Sequence, residues 1–472
     1  SWDLIVIDEA HYLRNVYTPR NVTAKEIQRA TRDYNKVLLT ATPLQNRLEE
    51  LYGLVSFIDP DLFGDINAFR KKYVLESGGQ DLNELKERLK DIVHRTLRRD
   101  VKEFINYRER ISITQEFQPS PKEIELYESV LEYLRRDDTY AFPLAQKHLM
   151  QSVIFKLLGS SSFAVGRTLE ALIRRLEKLL ENSKVVDDEL YEMFLEEYEN
   201  LDDEIDETEE DGDEEINEIT FEDKIAIEDE IKQLQSFLLL ANSIEHNEKG
   251  EKLIMALDTG FKKLEELGAN KKALIFTEST RTQKYLFDRL SQEKYAGRIL
   301  LFNGSNNDDV SKEIYQTWKE DEQNIDKITG SRSVDIRHAL VDAFASDDFD
   351  IMIATEAASE GINLQFCSMV VNYDLPWNPQ RVEQRIGRCH RYGQKHDVVV
   401  VNFINGSNAV ERRVYELLES KFKLFEGVFG ASDEVLGTIE SGMDFEKRIA
   451  EIYKKCRTQE EIEHYFNQLQ EE

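Results

Sequence analysis

Short apolar runs that end in polar residues recur in two separate stretches of the chain, with helical spacing between them. In the first stretch, Leu4-Ile5-Val6-Ile7 and Val37-Leu38-Leu39-Thr40 read as strands. Leu48 to Ile58 has the spacing of an amphipathic helix, stopped by Asp59-Pro60. The basic segment His94 to Arg99 closes this unit. From about 115 to 260 the pattern is helical. Pro119-Ser120-Pro121 opens a helix over Lys122 to Arg136, and others are predicted over Phe163 to Leu180 and Glu228 to Ser243. Strand–helix alternation returns from about 265 to 410. Its runs begin at Ala273, Ile299, Ile351, Met369 and Val398, each about four residues long. Uninterrupted apolar runs suit parallel strands covered on both faces. The pattern therefore predicts an α/β protein. Its parts are a parallel-sheet lobe at residues 1–112, a helical insert at 113–262, a second parallel-sheet lobe at 263–410 and a helical C-terminal extension at 411–472.

A chain of 472 residues suggests roughly three domains at about 150 residues each, with room for large cores. No apolar run reaches the roughly 18 to 20 residues that a membrane helix needs. The chain opens inside a strand-like run without a signal peptide, so the protein's own N-terminus is expected upstream. Cys367, Cys389 and Cys456 are an odd number without ligand-like spacing, which argues against a disulfide framework or a zinc site. A reducing, cytoplasmic location is the expectation. The net charge of −32 argues at first against nucleic acid as a partner. Its distribution removes that objection. Residues 187–230 hold 24 acidic side chains and one lysine, leaving about −9 for everything else. Such a segment reads as a solvated acidic loop.

Two constellations carry chemistry. The first strand runs directly into Asp8-Glu9-Ala10-His11. A strand that ends in two carboxylates is how a nucleotide-hydrolysing α/β domain holds magnesium and a water. Asp8 would hold Mg2+ through water, Glu9 would orient or deprotonate the attacking water, and His11 would link the site to motion elsewhere. By itself the run could also be a strand end with surface acids. Near the other end, Gln384-Arg385-Ile386-Gly387-Arg388-Cys389-His390-Arg391 continues into Tyr392-Gly393-Gln394. Arginines here suit a polyphosphate, since each guanidinium forks two donors onto one phosphate. Thr40 and Thr42, in Thr40-Ala41-Thr42-Pro43, are candidates for reporting the hydrolysis state to a neighbouring surface.

These motifs occur in the order found in superfamily-two helicases: Asp8 to His11, Leu39 to Asn46, Phe276-Thr277, Thr355 to Leu364 and Gln384 to Gln394. Leu39 to Asn46, the segment from Tyr373-Asp374-Leu375-Pro376-Trp377 to Asn378-Pro379, and the closing His390 to Gln394 resemble the Swi/Snf-type DNA translocases. Glu383 to Arg388 is similar to their RapA-like bacterial branch. The resemblance spans nearly the whole chain outside the acidic loop. It implies that both lobes are RecA-like, the first one truncated, and that ATP is the cofactor and double-stranded DNA the partner. It further implies that Arg388 and Arg391 are arginine fingers and that Gln384 and Arg385 help join the lobes around the nucleotide. Gly361 would approach the ribose and the nucleic acid, while Thr277, Thr355, Asn363 and Trp377 would face the tracked strand.

The chain departs from the family at three places. Ala358-Ser359 stands where a glycine pair is usual, and Cys367-Ser368 where an Ala-Asp pair is usual. Cys389 lies between the fingers in a variable slot and reads as incidental. The largest departure is that no Gly-x-x-x-x-Gly-Lys-Ser/Thr loop occurs in these residues. In the family that loop precedes the Asp-Glu-Ala-His box, so the expectation is a C-terminal portion of a longer protein, inactive by itself. A scaffold that binds nucleic acid without hydrolysing ATP is the alternative from a different class, and an RNA-directed motor is a third reading.

Overall fold

The apolar runs at both ends of the chain form parallel strands. The computed structural model describes residues 2–18, 21–40, 48–75, 80–94, 108–136, 138–143, 147–181, 220–355, 362–421, 442–456 and 458–471. They divide into two units, one of Ser1–Phe104 with Ser432–Lys447 and one of Ile105–Ala431 with Arg448–Glu472.

In the first unit, β1 (Ile5–Ile7) is followed by α1 (Val22–Ala30), β2 (Lys36–Leu38) and α2 (Leu48–Ile58). Strands β1 and β2 pair in parallel with Val6 opposite Val37. Helix α1 is opened by Asn21, whose side chain accepts from the Ala24 N–H at 3.0 Å. One face of the strand pair packs through Ile7 and Leu38 onto Ala10, Leu13, Val16, Ala24, Leu54 and Phe57. The other face carries Leu4, Val6, Val37 and Leu39, which are exposed among the described residues. Alternation along both strands explains the split. Helix α2 comes so close to the turn after β1 that a β-carbon on Gly53 would land on the Arg14 carbonyl. The unit also holds α3 (Ile66–Phe69) and α4 (Gln80–Leu89). Phe69, Tyr73 and Leu85 form a small aromatic core there with Phe63.

The second unit is built on six parallel strands: β3 (Arg110–Phe117), β4 (Ala273–Phe276), β5 (Ile299–Phe302), β6 (Ile351–Ala354), β7 (Met369–Asn372) and β8 (Val398–Asn405). Their spatial order is β3-β8-β7-β4-β6-β5. Strand β4 lies centrally, with Leu274 between Met352 of β6 and Val370 of β7. Every residue of β4, β6 and β7 is buried, as two-sided cover requires. Thr277, Thr355 and Tyr373-Asp374 follow directly on β4, β6 and β7. They therefore lie at the carboxyl edge of the sheet, where open α/β sheets place their ligands.

The boundaries differ from the sequence expectation in two places. Residues 110–112, assigned there to the first lobe, begin β3, which pairs in register with β8 from Arg110–Val398 to Phe117–Asn405. Its alternating burial and its distant partner account for the miss. The helices expected as a separate insert are α5 (Pro121–Leu134), α6 (Lys147–Ser160), α7 (Ser162–Leu180), α8 (Phe221–Asn242) and α9 (Glu248–Glu266). Ser120 and Glu123 form the capping box that opens α5. Helix α9 is part of the second lobe's core, because Leu253, Leu257, Phe261 and Leu264 pack with the Ile275, Ile353, Val371 and Val401 side chains of the sheet. The remaining helices are α10 (Thr280–Ser291), α11 (Asp309–Glu320), α12 (Arg332–Ala345), α13 (Pro379–Cys389), α14 (Ala409–Glu416), α15 (Gly442–Lys455) and α16 (Gln459–Glu471). Most of the acidic segment lies outside the described residues.

Gly53→Ala forces α2 away from the Arg14 backbone, which cannot yield as a side chain can. It should destabilise the first unit by about 1–3 kcal/mol, seen as an earlier unfolding transition. A control at Gly64, where nothing lies near the added carbon, should lose less despite its positive φ of 71°.

Candidate functional site

In the first unit the polypeptide leaves β1 through a strained residue. Glu9 has φ 48° and ψ 44°, the left-handed region that a non-glycine residue adopts at a cost. The Glu9 N–H donates to the Asp8 carboxylate at 2.9 Å, and both acids are exposed. His11 Nδ1 lies 3.3 Å from Glu9 Oε2, which joins two of the expected roles in one contact. The Ala10 N–H donates to Leu39 O at 2.9 Å, so this turn is fastened beside Thr40. Thr42 lies outside the described residues.

Asp8 offers hard oxygen ligands at a strand end, the donor type that Mg2+ takes. Among the described residues no group of three His, Cys, Asp or Glu side chains converges on a metal position. Asp8 thus fits a shell completed by water and substrate phosphate, the usual way Mg2+ is held.

In the second unit the candidate arginines are carried by α13 and the turn after it. Val382, Ile386 and Cys389 form its fully buried stripe, at the i, i+4, i+7 spacing of one helix face. Three polar groups are also drawn inside. Glu383 accepts both terminal nitrogens of Arg110 at 2.7 and 2.8 Å. The Arg110 Nε donates to His390 Nδ1 at 3.3 Å. His390 Nε2 lies 2.6 Å from Arg108 O, so that nitrogen carries the proton and Nδ1 is the acceptor. The third is Arg385, 1% exposed, which donates to the Asp374 carbonyl and lies with its guanidinium carbon 5.1 Å from the centre of the Phe276 ring.

Gln384 remains exposed and Arg391 is half-buried; the Arg391 Nε donates to Gly387 O at 2.8 Å. Arg388 is mostly buried, at 7% exposure. Gln394 fixes the turn beyond, its amide donating to the carbonyls of Cys367 and Cys389 at 3.0 Å each. Gly393, with φ 94°, makes that turn possible.

The structure corrects several expected placements. Arg385 was expected to reach the nucleotide between the lobes but is committed to the interior of its own unit. Thr277, expected to face the tracked strand, is fully buried and its hydroxyl donates to Asp374 at 2.7 Å. Trp377 is 8% exposed and stacks on Tyr453 of α15, with ring centres 5.4 Å apart. Thr355 is 2% exposed. Its backbone N–H donates to Phe302 O at 3.0 Å. Asn363 is exposed as expected, and Gly361 lies outside the described residues.

The sequence did not announce the group on which these placements converge. The buried Asp374 carboxylate accepts from Lys249 Nζ at 2.8 Å, Thr277 Oγ1 at 2.7 Å, Ser160 Oγ at 2.8 Å and the Glu278 N–H at 3.1 Å. Burial pushes its pKa up, but Lys249 and the hydrogen bonds outweigh that and hold it below the usual carboxylate range. Glu411 lies in the same cavity wall. Burial pushes its pKa above the usual value, with Lys249 offsetting only part of the effect. The one available signal was Asp374 inside its aromatic and proline-rich segment.

A SNF2-related domain matches residues 1–184 and a helicase conserved C-terminal domain matches residues 252–393. Both matched regions are thus similar to those of SNF2-related helicases. It is 29% identical over 468 residues to an uncharacterized ATP-dependent helicase, YqhH, of Bacillus subtilis (strain 168), covering 98% of this chain and 66% of that protein. It is 28% identical to the lymphoid-specific helicase of Homo sapiens, covering 90% of this chain and 47% of that one. The chain thus spans between about half and two thirds of the length of these relatives. The SWI2/SNF2 ATPase core of Sulfolobus solfataricus, solved in complex with dsDNA, aligns over 97% of this chain and 72% of that chain, at 16% identity and a TM-score of 0.34.

Lys249→Met leaves the Asp374 carboxylate buried without its counter-charge, a loss of about 3–5 kcal/mol for a broken buried pair. The pH dependence has a definite sign. Asp374 has a depressed folded pKa, so its contribution is complete above the unfolded value of about 3.9 and disappears as pH falls through the folded one. Without Lys249 the folded pKa rises. The acid-unfolding midpoint of the variant should therefore move to higher pH, measured by circular dichroism against pH.

Proposed function

We propose that the whole protein is an ATP-dependent motor that moves on double-stranded DNA or remodels protein–DNA complexes. One observation carries this reading most directly: the Asp8–Glu9 strand end, where a strained backbone holds an exposed acid beside His11. Strain of this kind is retained where function over-determines the structure. Glu9 is suited to orient or deprotonate the attacking water, with Asp8 holding Mg2+. Arg391 and Arg388 are suited to stabilise charge on the transferring phosphate. His11 and Thr40, fastened near one another through Ala10 and Leu39, are suited to carry the state of the site outward.

DNA as the partner is supported by the similarity to SNF2-related helicases and by the motif from Tyr373 to Pro379. With Thr277, Thr355 and Trp377 turned inward, Asn363 is the described candidate left for direct strand contact. Backbone groups and phosphate charge would supply the rest, as sequence-independent binding allows. A cytoplasmic location accompanies the proposal, supported by three buried, unpaired cysteines.

The test is ATP turnover by the full-length protein with and without duplex DNA. Turnover should rise with DNA. Glu9→Gln should lower it about 10²–10⁴-fold, the range for a general base, while leaving DNA binding intact in an electrophoretic shift. Arg391→Ala should cost about 10³-fold or more. Turnover unchanged in Glu9→Gln would remove that residue from the chemistry, and a wild-type protein without turnover would favour the non-hydrolysing scaffold.

A further inference from the structure

We propose that Arg110, at the first position of β3, is a positioning residue for the finger arginines. This inference rests on the motor reading above. Arg110 touches neither nucleotide nor DNA in this role; it acts through Glu383 and His390, which bracket Arg388 in sequence.

The geometry is unusually complete for one side chain. The Arg110 side chain is 0% exposed. Its two terminal nitrogens grip both oxygens of Glu383, at 2.8 and 2.7 Å. Its Nε donates to His390 Nδ1 at 3.3 Å. Glu383 lies in the second turn of α13, and His390 is the first residue beyond the helix. One guanidinium therefore holds the finger helix at two points seven residues apart. Two fixed points define both the rotation of a helix about its axis and its shift along that axis. The apolar stripe of Val382, Ile386 and Cys389 fixes the buried side chiefly by packing.

The same strand start makes two further attachments. His390 Nε2–H donates to Arg108 O at 2.6 Å, and the Glu109 N–H donates to Asp397 Oδ1 at 3.0 Å. Residues 108 to 110 thus clamp the segment 383–397 before β3 has completed its pairing with β8. Lysine cannot reproduce this clamp, since a single ammonium cannot bind two carboxylate oxygens and an imidazole in one plane. Fingers act only when their donors meet the charge of the transition state, and a misplacement of about 1 Å can cost about 10²-fold in rate.

The experiment uses the full-length protein and measures DNA-stimulated ATP turnover together with the melting temperature. Arg110→Met should lower both, because it strands a buried carboxylate. The decisive variants separate the two effects. Arg110→Met combined with Glu383→Met replaces the ion pair by apolar side chains, which commonly restores stability. Arg110→Lys keeps the charge and loses the fork. In whichever of these two melts within a few degrees of wild type, kcat should remain about 10- to 100-fold low while KM for ATP changes less than about threefold. If kcat recovers along with the melting temperature, Arg110 is merely structural and the proposal is overturned. If both variants fail to fold, Glu383→Gln, which keeps one acceptor for the guanidinium and loses the second together with the charge, decides by the same split. A wild-type protein without turnover overturns the motor reading and this inference with it.

Discussion

A single buried carboxylate organises the second unit. Ionised Asp374 is costly in the interior unless every lone pair it presents is met. Lys249 comes to it from α9, Ser160 from the end of α6, and Thr277 with the Glu278 N–H from the exit of β4. Its own carbonyl takes Arg385 from α13. One residue's requirement for compensation thus gathers α6, α9, the central strand and α13 at the carboxyl edge of the sheet. An apolar cluster of equal volume could match its stability but would not fix direction. Hydrogen bonds of 2.7 to 2.8 Å fix direction.

That convergence explains why several residues that looked like surface contacts are inside. Thr277 directly follows β4, Trp377 lies in the segment after β7 and Arg385 is on α13; all three are polar or amphipathic residues on the carboxyl side of the sheet, where ligand contacts are common. The sequence shows their type and neighbourhood but not the donors and rings waiting for them. Thr277 has Asp374, Arg385 has the Asp374 carbonyl and the Phe276 ring, and Trp377 has Tyr453, which is 76 residues further along the chain. The Arg110–Glu383 pair spans 273 residues and was equally out of reach of local reasoning. Cys389, read from sequence as incidental, is a core residue on the buried stripe of α13.

The architecture was legible where burial is symmetrical. Four-residue apolar runs such as Ala273–Phe276 and Ile351–Ala354 are hidden on both faces, so pattern alone reveals them. The segment Pro119-Ser120-Pro121 likewise announced α5. Strand β3 escaped because Arg110, Ser112, Thr114 and Glu116 interrupt its apolar positions, and because its partner β8 lies nearly 300 residues away. The helices of the insert were legible as helices, but not as cover for the sheet. Periodicity tells which face of α9 is apolar and leaves open what meets it.

Glu9 in the first unit and α13 in the second are restrained in opposite ways. At Glu9 an exposed acid is held by backbone strain, with one contact to His11 and few others. At α13 the arginines are held by a helix whose inner side is crowded with satisfied polar groups. Under the proposed motor reading, a carboxylate that approaches water and a metal would need solvent and reach, which restraint by the backbone rather than by burial allows. Under the same reading, a guanidinium that meets developing charge would need fixed direction. Its helix is therefore anchored by groups that are themselves fully bonded, such as Glu383 to Arg110 and Arg385 to Asp374. Arg391 shows the compromise such a role would require: its Nε is tied to Gly387 O, which limits where the outer fork of its guanidinium can point.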